Sequence, residues 1–292
     1  MTAHRILVTG ASGFTGRYVL LSLKRAGFEP LVLNSNLCDD VSLSAEVASI
    51  KPEAVIHLAG IAYVGHGNLT DFYRVNVIGT LNLLQALEAT HSIIGPVVLA
   101  SSANVYGNSY QDEAIKEYFE PNPINDYAVS KLSMEKMASL WKDRLPITVV
   151  RPFNYTGIGQ SPSYVVPKII DTFRHRKPEI SLGNVSVWRD FSDVRDISRW
   201  YTEIIKKNIV NHTINFCSGK IISLKEIIRI CEQITKYKIK LNVDTKLQRK
   251  NELVQLQGDR ALLQSLLGPE SNQIYTIEDT INWMLCNKSF FY

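Results

Sequence analysis

Five short apolar runs, set apart by segments of helical periodicity, constrain the fold of this chain more than any other feature. Ile6-Leu7-Val8, Leu31-Val32-Leu33, Ala54-Val55-Ile56-His57-Leu58-Ala59, Val97-Val98-Leu99-Ala100 and Ile147-Thr148-Val149-Val150 are too uniformly apolar to alternate in and out. Such runs belong to strands covered on both faces. The intervening segments Phe14 to Ala26, Ser42 to Ile50, Phe72 to Glu88 and Asp126 to Trp141 repeat apolar residues at helical spacing. Crossovers between parallel strands are right-handed. The order therefore predicts an α/β fold, a doubly wound parallel sheet of Rossmann type, with ligands bound beyond the carboxyl ends of its strands.

After about residue 155 the rhythm loosens. Helices are expected over Tyr164 to Arg176, Val194 to Lys206 and Leu224 to Thr235, with weaker ones near Ala261 and Ile277. Strands are expected within Glu179 to Phe191, at Thr213 to Phe216 and at Lys238 to Val243. We read residues 1–155 plus 186–217 as a dinucleotide-binding domain, and 156–185 plus 218–292 as a smaller C-terminal lobe that closes over it.

Composition narrows the function classes. A net charge of +4 with scattered basic residues gives no nucleic-acid or polybasic membrane signal. Cys38, Cys217, Cys231 and Cys286 show no Cys-x-x-Cys spacing, and the 6 histidines are dispersed, so neither a disulfide framework nor a metal site is expected. No apolar stretch approaches the ~18 residues needed to span a bilayer. The expected setting is the cytoplasm.

Gly10-x-x-Gly13-x-x-Gly16 closes the first strand and opens a helix. There a glycine makes the tight turn, a second lets a pyrophosphate approach, and a third lets helix and sheet pack closely. The second strand ends Leu33-Asn34-Ser35-Asn36, with no acid to hold a ribose 2′-hydroxyl. That tip, with Arg17 to supply positive charge, favours NADPH, with NADH also usable.

Tyr127 and Lys131 stand four apart at the start of a helix, which puts a phenol and an ammonium on one face. With 13 tyrosines in the chain, Tyr-x-x-x-Lys is expected about 0.8 times by chance, so the pair counts only beside the glycine turn. Together they point to hydride transfer with a nicotinamide cofactor, Tyr127 supplying the proton. Ser102, after the fourth strand, could hold a substrate carbonyl or simply cap its turn. Asn154 follows the fifth strand in Arg151-Pro152-Phe153-Asn154, at the same end of the sheet.

Gly10-x-x-Gly13-x-x-Gly16, His57-Leu58-Ala59-Gly60, Asn76, Ser102, Tyr127-x-x-x-Lys131 and Arg151-Pro152-Phe153-Asn154 together resemble the extended short-chain dehydrogenase/reductase family of nucleotide-sugar epimerases, dehydratases and reductases. The resemblance continues through Arg189-Asp190-Phe191 to Arg249-Lys250-Asn251-Glu252. It implies catalytic roles for Ser102, Tyr127 and Lys131. Cofactor contacts would come from Gly10, Ser12, Gly13, Phe14, Gly16, Arg17, Asn36, Leu37, Leu58, Ala59, Gly60, Asn76 and Pro152. Tyr63, Ser102, Asn104, Asn154, Val166, Lys168, Arg189, Arg249 and Glu252 would line the nucleotide-sugar site. Asn36, Ile158 and Lys250 depart from the family's pattern.

Within the family the likeness is greatest to reductases of GDP-linked 4-keto-6-deoxyhexoses. It implies NAD(P)H-dependent reduction of the C4 ketone. Dehydratases carry acids just after the catalytic hydroxyl, where this chain has Ala103 and Asn104, neither of which can drive a water elimination. Two rival readings stay open: a 4-epimerase with tightly held NAD, and a non-catalytic dinucleotide sensor. The resemblance also implies a homodimer through a four-helix bundle built from Phe72 to Glu88 and Asp126 to Trp141.

Overall fold

The computed structural model describes residues 3–62, 67–108, 113–244 and 255–287. Six parallel strands form the main sheet: β1 (Arg5–Thr9), β2 (Glu29–Val32), β3 (Ala54–His57), β4 (Val97–Ala100), β5 (Ile147–Pro152) and β9 (Thr213–Phe216), in the order β2-β1-β3-β4-β5-β9. The order reverses between β1 and β3. At such a switch point the connections leave towards opposite faces and open a crevice at the strand ends.

Alternate strand residues feed two cores. Ile6, Val8 and Ile56 pack against α1 (Phe14–Arg25), α7 (Val194–Lys206) and α9 (Ala261–Leu267), while Leu7, Val55 and Leu99 pack against α2 (Asp40–Ile50), α4 (Gly79–Thr90) and α5 (Asp126–Ser139). Burying both faces in this way explains why the strand sequences lack alternation.

The expected long helix over Phe72 to Glu88 is instead interrupted. A short α3 (Leu69–Tyr73) passes through a π turn, Arg74–Ile78, into α4. The turn buries Asn76, whose side chain grips Ile61 through both backbone groups, accepting from N at 2.9 Å and donating to O at 3.2 Å. It also donates to Ser130 Oγ at 3.0 Å. A wide turn at this point lets one residue tie the exit of β3 to α5.

The C-terminal lobe holds α6 (Val165–Arg174), α8 (Leu224–Thr235), α10 (Ile277–Cys286) and a third core built around Ile169, Phe173, Ile227 and Ile281. Its strands are short. β6 (Asn154–Thr156) and β12 (Gln255–Leu256) run parallel to β8 (Trp188–Asp193), β10 (Ile221–Ser223) runs antiparallel to it, and β7 (Glu179–Leu182) pairs with β11 (Lys240–Val243). The division expected at residue 186 falls just before β8, which belongs to this second sheet, whereas α7 and β9 return to the first. No helix among the described residues is long and apolar enough to cross a membrane.

Candidate active site

The glycine turn sits at the switch point. Gly10 has φ +66°, and a side chain there would strike Ala59 N at 2.7 Å. One on Gly16 would strike Gly10 O. The turn is therefore built for close approach of β1, the exit of β3 and α1. α1 starts at Gly13 with no side-chain cap and no acid in its first turn. Its first N–H groups stay available at the positive end of the helix, which fits a dinucleotide pyrophosphate. Ser12 and Gly13 are exposed above it.

A cavity of about 450 Å³ runs from this turn across the ends of β4 and β5 into the C-terminal lobe. Of the expected residues, Gly10, Gly13, Phe14, Gly16, Leu58, Gly60, Ser102, Asn104, Tyr127, Lys131, Pro152 and Asn154 line it. Gly159, Gln160, Tyr155 and Tyr164 line it as well, and none of these was singled out in the sequence. Tyr155 ties the lobes together: its ring stacks on Phe14 at 6.0 Å, and its hydroxyl lies 2.8 Å from Thr15 Oγ1.

Ser102 and Tyr127 are almost buried, and both line the cavity. Ser102 Oγ accepts from Asn104 N and Nδ2, each at 3.2 Å, and caps the 3-10 turn Ala103–Tyr106. Capping and chemistry coexist here, because two accepted bonds leave the hydroxyl proton to donate into the cavity. Burial raises the Tyr127 phenol well above its usual range, Ser102 lowers it, and Tyr155 and Tyr164 add to the rise. Lys131 donates to Ala100 O at 2.8 Å, and burial brings its ammonium down to about 8 against the opposing pull of Glu135. His57 is buried between Thr9 Oγ1 at 2.7 Å and Thr80 Oγ1 at 2.9 Å; burial, with the Lys131 charge, takes it down to about 3, so it is neutral.

Beneath these groups lies a buried polar floor. Arg151 forms a bidentate pair with Glu135, Nε–Oε1 at 3.0 Å and Nη2–Oε2 at 2.6 Å, and donates to the Tyr106 hydroxyl at 2.8 Å. Ser101 donates to Glu135, and Tyr106 donates to Asn215 Oδ1 at 2.8 Å. This network fixes α5 against the ends of β4, β5 and β9. Tyr106 is fully buried in it. Glu135 went unnoticed in the sequence although it lies four residues past Lys131, on the same face.

The remaining expected residues are elsewhere. Arg17 donates across the lobe boundary to Gly159 O at 3.2 Å. Asn36 accepts from Cys38 N at 2.9 Å, and Leu37 is buried with its carbonyl accepting from Asn82 Nδ2 at 2.9 Å. Ala59 N donates to Thr9 Oγ1 at 3.1 Å. Val166 is buried in the lobe core, Lys168 donates to Ser181 O at 2.8 Å, and Arg189 lies on β8. Tyr63, Arg249 and Glu252 fall outside the described residues. No group of three or more metal-ligating side chains occurs among the described residues.

A model of the NAD dependent epimerase/dehydratase family matches residues 6–217. The chain is 33% identical over 269 residues to GDP-6-deoxy-D-talose 4-dehydrogenase of Aggregatibacter actinomycetemcomitans, covering 90% of this chain and 91% of the relative. It is 32% identical to GDP-6-deoxy-D-mannose reductase of Pseudomonas aeruginosa, covering 91% of each. The structure of RMD from Pseudomonas aeruginosa complexed with NADPH superposes with a TM-score of 0.89, at 30% identity, over 97% of this chain and 98% of that one. With its glycine turn at the switch point of the sheet, the chain belongs to the NAD(P)-binding, NAD dependent epimerase/dehydratase family.

Proposed function

We propose that the protein reduces the C4 ketone of a nucleotide-linked 4-keto-6-deoxyhexose, with GDP as the nucleotide. The observation that carries this reading is the placement of Ser102, Tyr127 and Lys131 around one cavity that begins at the glycine turn. When bound, NAD(P)H supplies the hydride. Tyr127 starts as the acid, because burial keeps its proton on at neutral pH, and delivers it to the C4 oxygen as that oxygen gains charge. Ser102 donates to the same oxygen. Lys131, anchored on Ala100 O, uses its remaining N–H donors to hold the cofactor's ribose. Asn154, Asn104 and Tyr164, which also line the cavity, would meet the nucleotide sugar. The reading draws its choice of substrate from the talose dehydrogenase and mannose reductase relatives.

The test is to incubate the protein with reduced cofactor and GDP-, dTDP-, CDP- and UDP-linked 4-keto-6-deoxy sugars, following cofactor absorbance and product NMR. Stoichiometric cofactor oxidation with a reduced C4 is expected, and most strongly for the GDP sugar. Tyr127→Phe should bind cofactor normally and lose on the order of 10²–10⁴-fold in turnover. Copurified NAD with sugar epimerised and no net oxidation would overturn the proposal.

We also propose a homodimer in which α4 and α5 pair with their copies. Ile78, just before α4, and Leu140, just after α5, are 49% and 75% exposed, which supports an outer apolar edge on this face. Sedimentation equilibrium should give twice the monomer mass, and Leu140→Glu should lower it; a monomer at micromolar concentration would rule the pairing out.

A further inference from the structure

The strand tip that lacks an acid in sequence receives one through the fold. Glu46, half-buried in the middle of α2, lays its carboxylate across the residues that follow β2. Its Oε1 accepts from Asn34 N at 2.9 Å and from Asn34 Nδ2 at 3.1 Å, and its Oε2 accepts from Ser35 N at 2.6 Å. Successive backbone N–H groups form a natural anion seat. Here the seat that would welcome a phosphate is already taken by the protein's own anion. Tying back Nδ2 also leaves Asn34 Oδ1, an acceptor, as that exposed side chain's remaining polar atom. Arg17, expected from the sequence to bring positive charge to this tip, is directed to Gly159 O instead.

In a Rossmann sheet the groups at the end of the second strand read the adenosine ribose: an acceptor there takes the 2′-hydroxyl, and a cation takes the 2′-phosphate. We infer that Asn34 and Glu46 together select NAD(H) over NADP(H), Asn34 Oδ1 accepting from the ribose 2′-hydroxyl while the Glu46 charge repels a 2′-phosphate. The pair performs the role of a strand-end acid with its two functions divided between β2 and α2. The inference rests on dinucleotide binding at the glycine turn and not on the identity of the sugar, so its test needs no substrate.

Isothermal titration of the full chain with NADH and NADPH, and with 5′-AMP and adenosine 2′,5′-bisphosphate, measures the discrimination directly. The unphosphorylated member of each pair should bind tighter by on the order of tenfold at low salt. Raising KCl to about 0.5 M should narrow the gap, because the repulsion is screened. Glu46→Gln keeps an acceptor for the N–H groups but removes the charge, and should bring the ratio close to one while the melting curve stays cooperative. Wild-type protein that binds the phosphorylated member as tightly, or tighter, would overturn the inference. So would a Glu46→Gln variant whose ratio does not move, including one that loses both ligands equally, since Glu46 would then only be building the loop. If that variant does not fold, the wild-type salt series decides alone: a ratio insensitive to KCl rejects charge selection.

Discussion

Helix α1 and helix α8 begin in opposite ways. α8 starts with a full capping box, in which Ser223 Oγ accepts from Glu226 N at 3.2 Å and Glu226 Oε2 accepts from Ser223 N at 2.9 Å. α10 repeats the device with Thr276 and Asp279, and α7 starts on Asp193, which accepts from Arg195 N at 2.7 Å. α1 starts on Gly13 with nothing comparable. A side-chain cap is worth about 1 kcal/mol over alanine and a few tenths over glycine; α7, α8, α10 and also α5, through Asn125, take it, while α1 forgoes it. Forgone stability of this kind marks where a ligand is expected to complete the structure. α6, which likewise has no side-chain cap, starts at Tyr164 on the wall of the same cavity.

Breaking the contrast outright should have the largest effect. Gly13 has φ −71° and ψ 173°, ordinary cap geometry, and a side chain there would meet Gly10 O at 3.1 Å, a tight but bearable contact. Gly13→Asp should therefore cap α1 and change stability by only a few tenths of a kcal/mol, because glycine is itself a tolerated N-cap. The same carboxylate would oppose the pyrophosphate, and dinucleotide affinity should fall on the order of 10²–10³-fold. Titration calorimetry and thermal melts measure both. Affinity within a few-fold of wild type would show that the open helix start is not the phosphate site.

The cofactor end carries a second unmet demand. Lys131 is buried, and its ammonium is held down to about 8 from an ordinary 10.5. A depressed pKa means that the unfolded chain binds the proton more readily. Stability is then fully present above about 10.5 and is lost as pH falls through about 8. The cofactor-free protein should gain up to about 3 kcal/mol between pH 8 and 10.5 from this one group. Lys131→Met should flatten that rise when urea midpoints are compared across the same window. A rise of equal size in the variant would assign it to other groups.

How much of this was legible beforehand follows from the kind of signal each part leaves. The sheet strands were readable because burial on both faces writes itself as continuous apolar runs, as in Val97-Val98-Leu99-Ala100. The glycine turn and the Tyr127/Lys131 pair were readable because their geometry is local. β6, β10 and β12 were not, since strands of two or three residues leave no periodicity and exist through tertiary pairing with β8. The π turn at Asn76 was hidden inside a helical pattern that it hardly disturbs. Glu46 and Glu135 escaped for a different reason: each is an ordinary helix carboxylate in sequence, and its partners, Asn34 and Arg151, lie 12 and 16 positions away. Separation of that kind is decided by how helices pack on the sheet, not by spacing along the chain.

The smallest effect sharpens the comparison from the capped side. Ser223→Ala removes the hydroxyl that receives Glu226 N and leaves the Glu226 carboxylate bonded to a backbone N–H alone. The cost should be about 1 kcal/mol. α8 packs into the C-terminal core through Ile227, Ile228 and Cys231, while Ser223 also closes β10, which pairs with β8. Amide exchange should therefore quicken in α8 and β10, with the main sheet and α1 unchanged. Dinucleotide affinity should stay within about twofold, because this cap belongs to the C-terminal core and the second sheet. A loss of affinity comparable to that of Gly13→Asp would mean that the two helix starts are energetically coupled. The division between an end kept open for a ligand and an end satisfied by its own side chains would then have to be abandoned.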